Sequence, residues 1–144
     1  MNLIKRVVIL TIAIAAFFGM TAFAETNSEA TKAFDKVNEI RVANGMSALT
    51  WDASLEQAAQ VRAAESSTVF SHTRPDGSAW YTVNENVMYG ENLGKLYTNA
   101  DDVVNAWMNS PAHKANIVNA DYTKGAIAIY SVNGQLYWAE ESGY

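Results

Sequence analysis

The stretch from Gly125 to Ala139 constrains the fold most. Gly125 to Val132 is rich in β-branched and aromatic residues, Asn133-Gly134 is a strong tight-hairpin signal, and Gln135 to Ala139 returns as a partner strand. Upstream the period changes to that of a helix. Ala30, Ala33, Phe34, Val37 and Ile40 fall on one helical face, with a cap expected at Thr26 or Ser28 and a stop at Asn44-Gly45. Asp52 is expected to cap a second helix on which Leu55, Ala58, Ala59 and Arg62 share a face, ending in Glu65-Ser66-Ser67-Thr68. A loop at Ser71 to Ser78, a short helix near Ala79 to Val83 and a short strand within Asn86 to Leu93 come next. Asp101 and Asp102 open a third helix, and Ser110-Pro111 ends it and starts another. Glu140-Glu141 is expected on or just beyond the returning strand. Helices first and an antiparallel hairpin last give an α+β fold rather than a parallel α/β sheet. No repeat, low-complexity tract or linker interrupts residues 28 to 144, which read as one unit.

Lys5 and Arg6 precede the apolar run Val7 to Phe18, and Thr21-Ala22-Phe23-Ala24 supplies small residues for a leader-peptidase cut. We therefore expect a signal peptide at 1–24 and a single domain at 25–144, the alternative being an uncleaved membrane anchor. The chain carries a formal charge of −5, and losing Lys5 and Arg6 leaves 8 basic against 15 acidic residues, or −7. Such a surface repels phosphate, which argues against nucleic-acid partners and anionic lipid surfaces. A hydrophobic share of 49% is enough for a core and rules out general disorder. Cysteine is absent, so an exported chain of this kind has no disulfide, no thiol nucleophile and no acceptor for a lipid anchor.

Three residues could carry chemistry. His72 lies in the turn-rich loop, and His113 in the first turn of the helix opened by Pro111, where the dipole favours a neutral imidazole at pH 7. Glu91, in Tyr89-Gly90-Glu91-Asn92-Leu93, adds a carboxylate beside a glycine. Two imidazoles and a carboxylate suit a divalent cation, but separations of 19 and 22 residues mean that only the fold could unite them. The structural alternatives are hydrogen-bonding histidines and a buried carboxylate that holds a loop. Gly-x-Ser-x-Gly and phosphate or dinucleotide loops are absent, and Ser71, Ser78 and Ser110 have no readable orienting partner. Arg74, Asp76 and Asn92 are expected at the cleft rim, and Trp51, Trp80, Trp107 and Trp138 in the core or lining a cleft.

Phe70-Ser71-His72-Thr73-Arg74-Pro75-Asp76-Gly77, then Gly90-Glu91-Asn92-Leu93, then Trp107-Met108-Asn109-Ser110-Pro111-Ala112-His113-Lys114-Ala115-Asn116-Ile117 form an ordered set of motifs. Together they resemble a bacterial CAP domain, or SCP domain, of the superfamily of cysteine-rich secretory, antigen-five and pathogenesis-related proteins. Asn38-Glu39-Ile40-Arg41 and Tyr137-Trp138-Ala139-Glu140 extend the resemblance over about residues 28 to 143. The resemblance implies a three-layer α-β-α sandwich with a central antiparallel sheet and a cleft. His72, Glu91 and His113 fall on three of the family's four cleft positions. The fourth, a glutamate on the helix before the second histidine, has no counterpart in Trp107-Met108-Asn109-Ser110. The function expected on this basis is that of a secreted or cell-envelope binding module whose cleft holds zinc, another divalent cation or an extracellular small-molecule, lipid, glycan or protein ligand. A metal-assisted hydrolase of peptide or ester bonds and a structural envelope protein are the alternatives.

Overall fold

The computed structural model describes residues 3–144, with side chains from Phe23 onward, so most of the expected leader lies outside the residues whose side chains are described. Helix α1 spans Leu3–Ala43 without a break. No cap forms at Thr26 or Ser28: Thr26 Oγ1 instead donates back to Phe23 O at 2.9 Å and Thr31 Oγ1 to Asn27 O at 3.0 Å. Glu25 to Ser28 contain neither glycine nor proline, so nothing stops a helical backbone from propagating through them. Gly45, at φ 83°, does end the helix, with Met46 N–H on Arg41 O and Gly45 N–H on Val42 O.

Strand β1 is Thr50–Trp51, and α2 is Ala53–Ser66. Asp52 caps α2 by accepting from the N–H groups of Ser54 and Leu55, both at 2.9 Å. A 3₁₀ turn covers Trp80–Val83, and β2 spans Gly90–Lys95. This strand starts later than expected because Asn84 O gathers the N–H groups of Val87 and Met88 into a turn. Helix α3 is Ala100–Met108, capped by Asn99 two residues ahead of the first of the acids that signal it, and α4 is Pro111–Ile117. The hairpin pairs β3, Lys124–Val132, with β4, Gln135–Gly143, through Asn133 at φ 51° and Gly134 at φ 74°. Glu140 and Glu141 therefore lie inside β4.

The sheet order is β1-β3-β4-β2, antiparallel except for the two-residue parallel pairing of β1 with β3. Alternation sends Ile127 and Trp138 to one face, where they pack with Phe34 and Val37 of α1, Val104 and Trp107 of α3 and Ile117 of α4. Ala126, Ala128, Ala139 and Leu93 face the other way, onto Leu55, Ala58, Ala59 and Ala63 of α2. The small residues let α2 approach closely. Helices on both faces make the three-layer sandwich. Arg41, fully buried, ties α1 to the loop after α4 through the carbonyls of Ile117, Asn119 and Tyr122 at 2.7–2.9 Å. Among the residues whose side chains are described, no helix is long and apolar enough to cross a membrane.

Candidate functional site

Strand β2 places Glu91 and Asn92 on opposite faces of the sheet, and the two candidate histidines approach it from opposite layers. On the α2 face the Glu91 carboxylate is buried. Arg62 grips it with two bonds, Nε to Oε2 at 2.6 Å and Nη2 to Oε1 at 3.0 Å, while His72 Nδ1 meets Oε1 at 2.7 Å. Burial works to raise the Glu91 pKa, but hydrogen bonds from His72 and Arg62 prevail and hold it below the usual carboxylate value. An ionised Glu91 makes Nδ1 of His72 the donor, which turns Nε2 outward as an acceptor whenever the ring is neutral. The His72 side chain is 56% exposed, so that nitrogen is available to the cleft.

Arg62 is the hub. Its Nη1 donates to Glu65 Oε2 at 2.7 Å and its Nη2 to Ser71 O at 2.7 Å, which positions the loop bearing His72. Arg74 clamps Glu65 from outside with Nη2 on Oε1 at 2.7 Å. Burial opposes charge on Glu65 too, yet bonds from Arg74 and Arg62 keep its pKa low. Below Glu91, directly opposite on β4, lies Glu141. Among the described residues no donor reaches either Glu141 oxygen, and burial followed by the Glu91 charge pushes its pKa well up. Two carboxylates cannot both ionise there, so Glu141 keeps its proton while Glu91 stays charged.

On the α4 face Asn92 is fully buried, donating from Nδ2 to His113 O at 3.1 Å and to Glu140 Oε2 at 2.7 Å. Asn116 Nδ2 bridges Asn92 Oδ1 and Glu91 O, both at 3.0 Å. Burial raises Glu140 to about 7, partly countered by Asn92 and Arg41. His113 is half-buried, and its pKa is lowered first by burial and then by the charge of His72. The neutral imidazole expected for His113 thus has these causes. A cavity of about 370 Å³ opens beside it, lined by Phe70, Leu96, Tyr97, Trp107 and Ser110 among others. A larger one, about 720 Å³, lies away from the histidines, between α1, Trp51 and Tyr130.

The structure therefore brings His72 onto Glu91 and sets His113 across the same strand. It does not assemble a metal shell from them: among the described residues no three His, Cys, Asp or Glu side chains are grouped to hold an ion. Both Glu91 oxygens are already engaged, and one partner is itself a cation, so Glu91 is not free to ligate zinc or another divalent ion. Asn92 is an interior residue rather than a rim residue, whereas Arg74 and Asp76 do shape the loop, Asp76 by accepting from Ser78 N–H at 2.9 Å and Ser78 Oγ at 2.6 Å. Ser71 Oγ accepts from Thr73 N–H at 3.0 Å, and among the described residues none of the three candidate serines bonds an imidazole. Sequence reasoning passed over Arg62, Glu65, Asn116 and Glu141 as site residues. For Arg62 there was a signal: a guanidinium on the same face as Leu55, Ala58 and Ala59 needs a buried partner.

The family model for the cysteine-rich secretory protein family, CAP, matches residues 34–141. Among curated proteins, the uncharacterized protein YkwD of Bacillus subtilis is 26% identical over 117 residues, covering 76% of this chain but 45% of YkwD. The chain thus spans less than half the length of that relative. Among solved structures, an extracellular protein containing an SCP domain from Bacillus anthracis superposes with a TM-score of 0.73 at 20% identity, covering 82% of this chain and 41% of that one. An outer surface protein of Borrelia burgdorferi gives 0.69 at 21%, covering 82% and 93%.

Proposed function

The chain belongs to the cysteine-rich secretory protein family, and from that premise and the geometry of its cleft we propose that it is an extracellular binding domain that takes an organic ligand between His72 and His113, with no metal and no turnover. The observation that carries this reading is the state of Glu91. Its oxygens are spent on Arg62 and His72, so it is free neither to ligate an ion nor to act as a general base on water. What remains open to solvent is His72 Nε2, the half-buried His113 and the cavity beside it. These are recognition groups: hydrogen-bonding tips over an apolar recess. The leader expected at 1–24 and the bacterial relatives described as extracellular or outer-surface support the location.

One observation favours hydrolysis instead. A carboxylate on His72 Nδ1 orients the ring as in acid–base sites, which would let Nε2 take a proton. Among the described residues no hydroxyl bonds the His72 ring as a nucleophile would, so binding is the better reading. The test records the ring NMR signals of both histidines while peptides, chito-oligosaccharides and fatty acids are added in turn. We expect at least one class to shift both rings saturably and to emerge unchanged. Cleavage of a peptide or ester that His72→Ala abolishes would overturn the proposal in favour of a hydrolase.

A further inference from the structure

Strand β1 is too short for the strand it pairs. Its two residues reach only Lys124 and Gly125, and β3 continues to Val132 with β4 on one side and no strand on the other. The ladder fixes which backbone groups of β3 face that empty side. The two-residue turn at Asn133-Gly134 closes on the pair Val132 and Gln135, so even-numbered residues of β3 bond β4. Gly125 confirms the phase, since its carbonyl turns outward to accept from Asp52 N–H at 3.1 Å. Ile127, Ile129 and Ser131 follow it outward. Ile127 is buried, but Ile129 is half-buried, Ser131 is exposed and Tyr130 between them is 41% exposed. Among the described residues, nothing bonds the N–H or C=O of Ile129 or Ser131.

This edge is the floor of the cavity of about 720 Å³. Ala30 of α1 stands on one wall and Glu56 and Gln60 of α2 on the other, while Trp51 marks the end at which β1 stops. Trp51 is held there by an edge-on contact with the Phe34 ring, 4.9 Å between centres, and by donating from Nε1 to Glu56 Oε2 at 2.9 Å. Phe23 also lines the cavity. A cut after Ala24 would remove it and open that end, whereas the floor, Trp51 and Glu56 lie within 25–144. The groove thus prolongs the line of β1, along an edge of five residues from Ile127 to Ser131, about 17 Å.

The shape selects the occupant. A second copy would carry the same edge at the bottom of the same recess, and the helices of the two copies would meet before their strands could pair. A single extended segment can enter. Outward N–H and C=O groups two residues apart, about 7 Å, match a peptide backbone, whereas an acyl chain has no such groups along its length. Charge narrows the choice further. Glu56 is the one charged side chain lining the groove among the described residues, nothing described donates to its Oε1, and the whole chain carries −5.

We propose that this groove is a second binding site, separate from the histidine cleft, for an extended peptide that carries a lysine or arginine. The peptide adds to β3 beyond the end of β1, exchanging hydrogen bonds with Ile129 and Ser131, and its basic side chain reaches Glu56. The site is independent of the ligand taken between His72 and His113.

The test selects binders for the purified protein from a random dodecapeptide library and follows hydrogen exchange and chemical shift at each backbone amide with and without a selected peptide. The selected peptides should be enriched in lysine and arginine, slow exchange at Ile129 and Ser131, and leave the ring signals of His72 and His113 in place. Ser131→Pro removes one outward N–H at an edge position, and it should weaken binding at least about tenfold more than Ser131→Ala. Glu56→Gln should weaken it about threefold, the size of an exposed ion pair. Should Ser131→Pro fail to fold, the amide data and Glu56→Gln decide. Peptides that leave Ile129 and Ser131 unperturbed, including any that shift only the histidine rings, would overturn the inference, as would no peptide binding tighter than about 1 mM. Selection of acidic or uncharged peptides, or equal affinity for Glu56→Gln, would contradict it too. So would protection of Ile129 and Ser131 that grows with protein concentration alone, since the occupant would then be a second copy of the chain.

Discussion

Arg62 and His72 touch the same carboxylate but should respond to substitution by very different amounts. Arg62 is fully buried between Glu91 and Glu65, so Arg62→Met would leave the buried Glu91 carboxylate without its cation, while Glu65 keeps Arg74. Breaking a buried pair in this way costs about 3–5 kcal/mol, to be read from urea unfolding. The exposed His72 gives up one hydrogen bond on His72→Ala, for a loss of about 1 kcal/mol, while ligand binding disappears. A drop of comparable size in both variants would make His72 a structural residue. His113 titrates below the ordinary histidine value because burial and the charge of His72 disfavour its imidazolium. An NMR titration should show its midpoint below about 6.5, moving up in His72→Ala. The unfolded chain then binds the proton more readily, so this residue's contribution to stability is lost as pH falls below the unfolded value. The sequence revealed His72, Glu91 and His113 through their motifs. It did not reveal that Glu91 is already occupied, because the occupant is 29 residues away on α2.

Strand β4 shows how an element can be legible while its burden is not. The Asn133-Gly134 turn and the alternation before it locate the hairpin, and both strands form as expected. That β4 runs on to Gly143 with Glu140 and Glu141 buried follows from pairing on both sides, with β3 and β2, which local propensity cannot report. The same limit explains α1: a cap preference at Thr26 yields to an uninterrupted helix. Buried carboxyls give β4 a pH signature. Burial sets Glu140 at about 7 against an ordinary 4.5, so the folded state holds the proton more tightly than the unfolded chain. Its contribution is full below about pH 4.5 and is lost by the time the pH has risen through about 7, a change of about 3 kcal/mol. Glu140→Gln should flatten that part of the stability profile in denaturant midpoints measured from pH 5 to 8. An unchanged slope would mean that Glu140 is not the group titrating.

At the scale of the molecule, the sandwich makes the cleft by bringing its two helical layers past the outer edge of one strand. Helix α2 delivers Arg62 and the loop carrying His72, helices α3 and α4 deliver Trp107, His113 and Asn116, and β2 is the seam where they meet. Motif order made the fold class and family legible from the sequence, whereas the ionic state of the cleft depends on long-range contacts that no motif spells out. The central claim is that Arg62 supplies the positive charge at Glu91, leaving no place there for a metal. Calorimetric titration of the protein with Zn²⁺, beside His72→Ala and His113→Ala variants checked for folding, tests this most directly. The account predicts no saturable heat that depends on the two histidines. Saturable binding near one equivalent, abolished by either substitution, would contradict it.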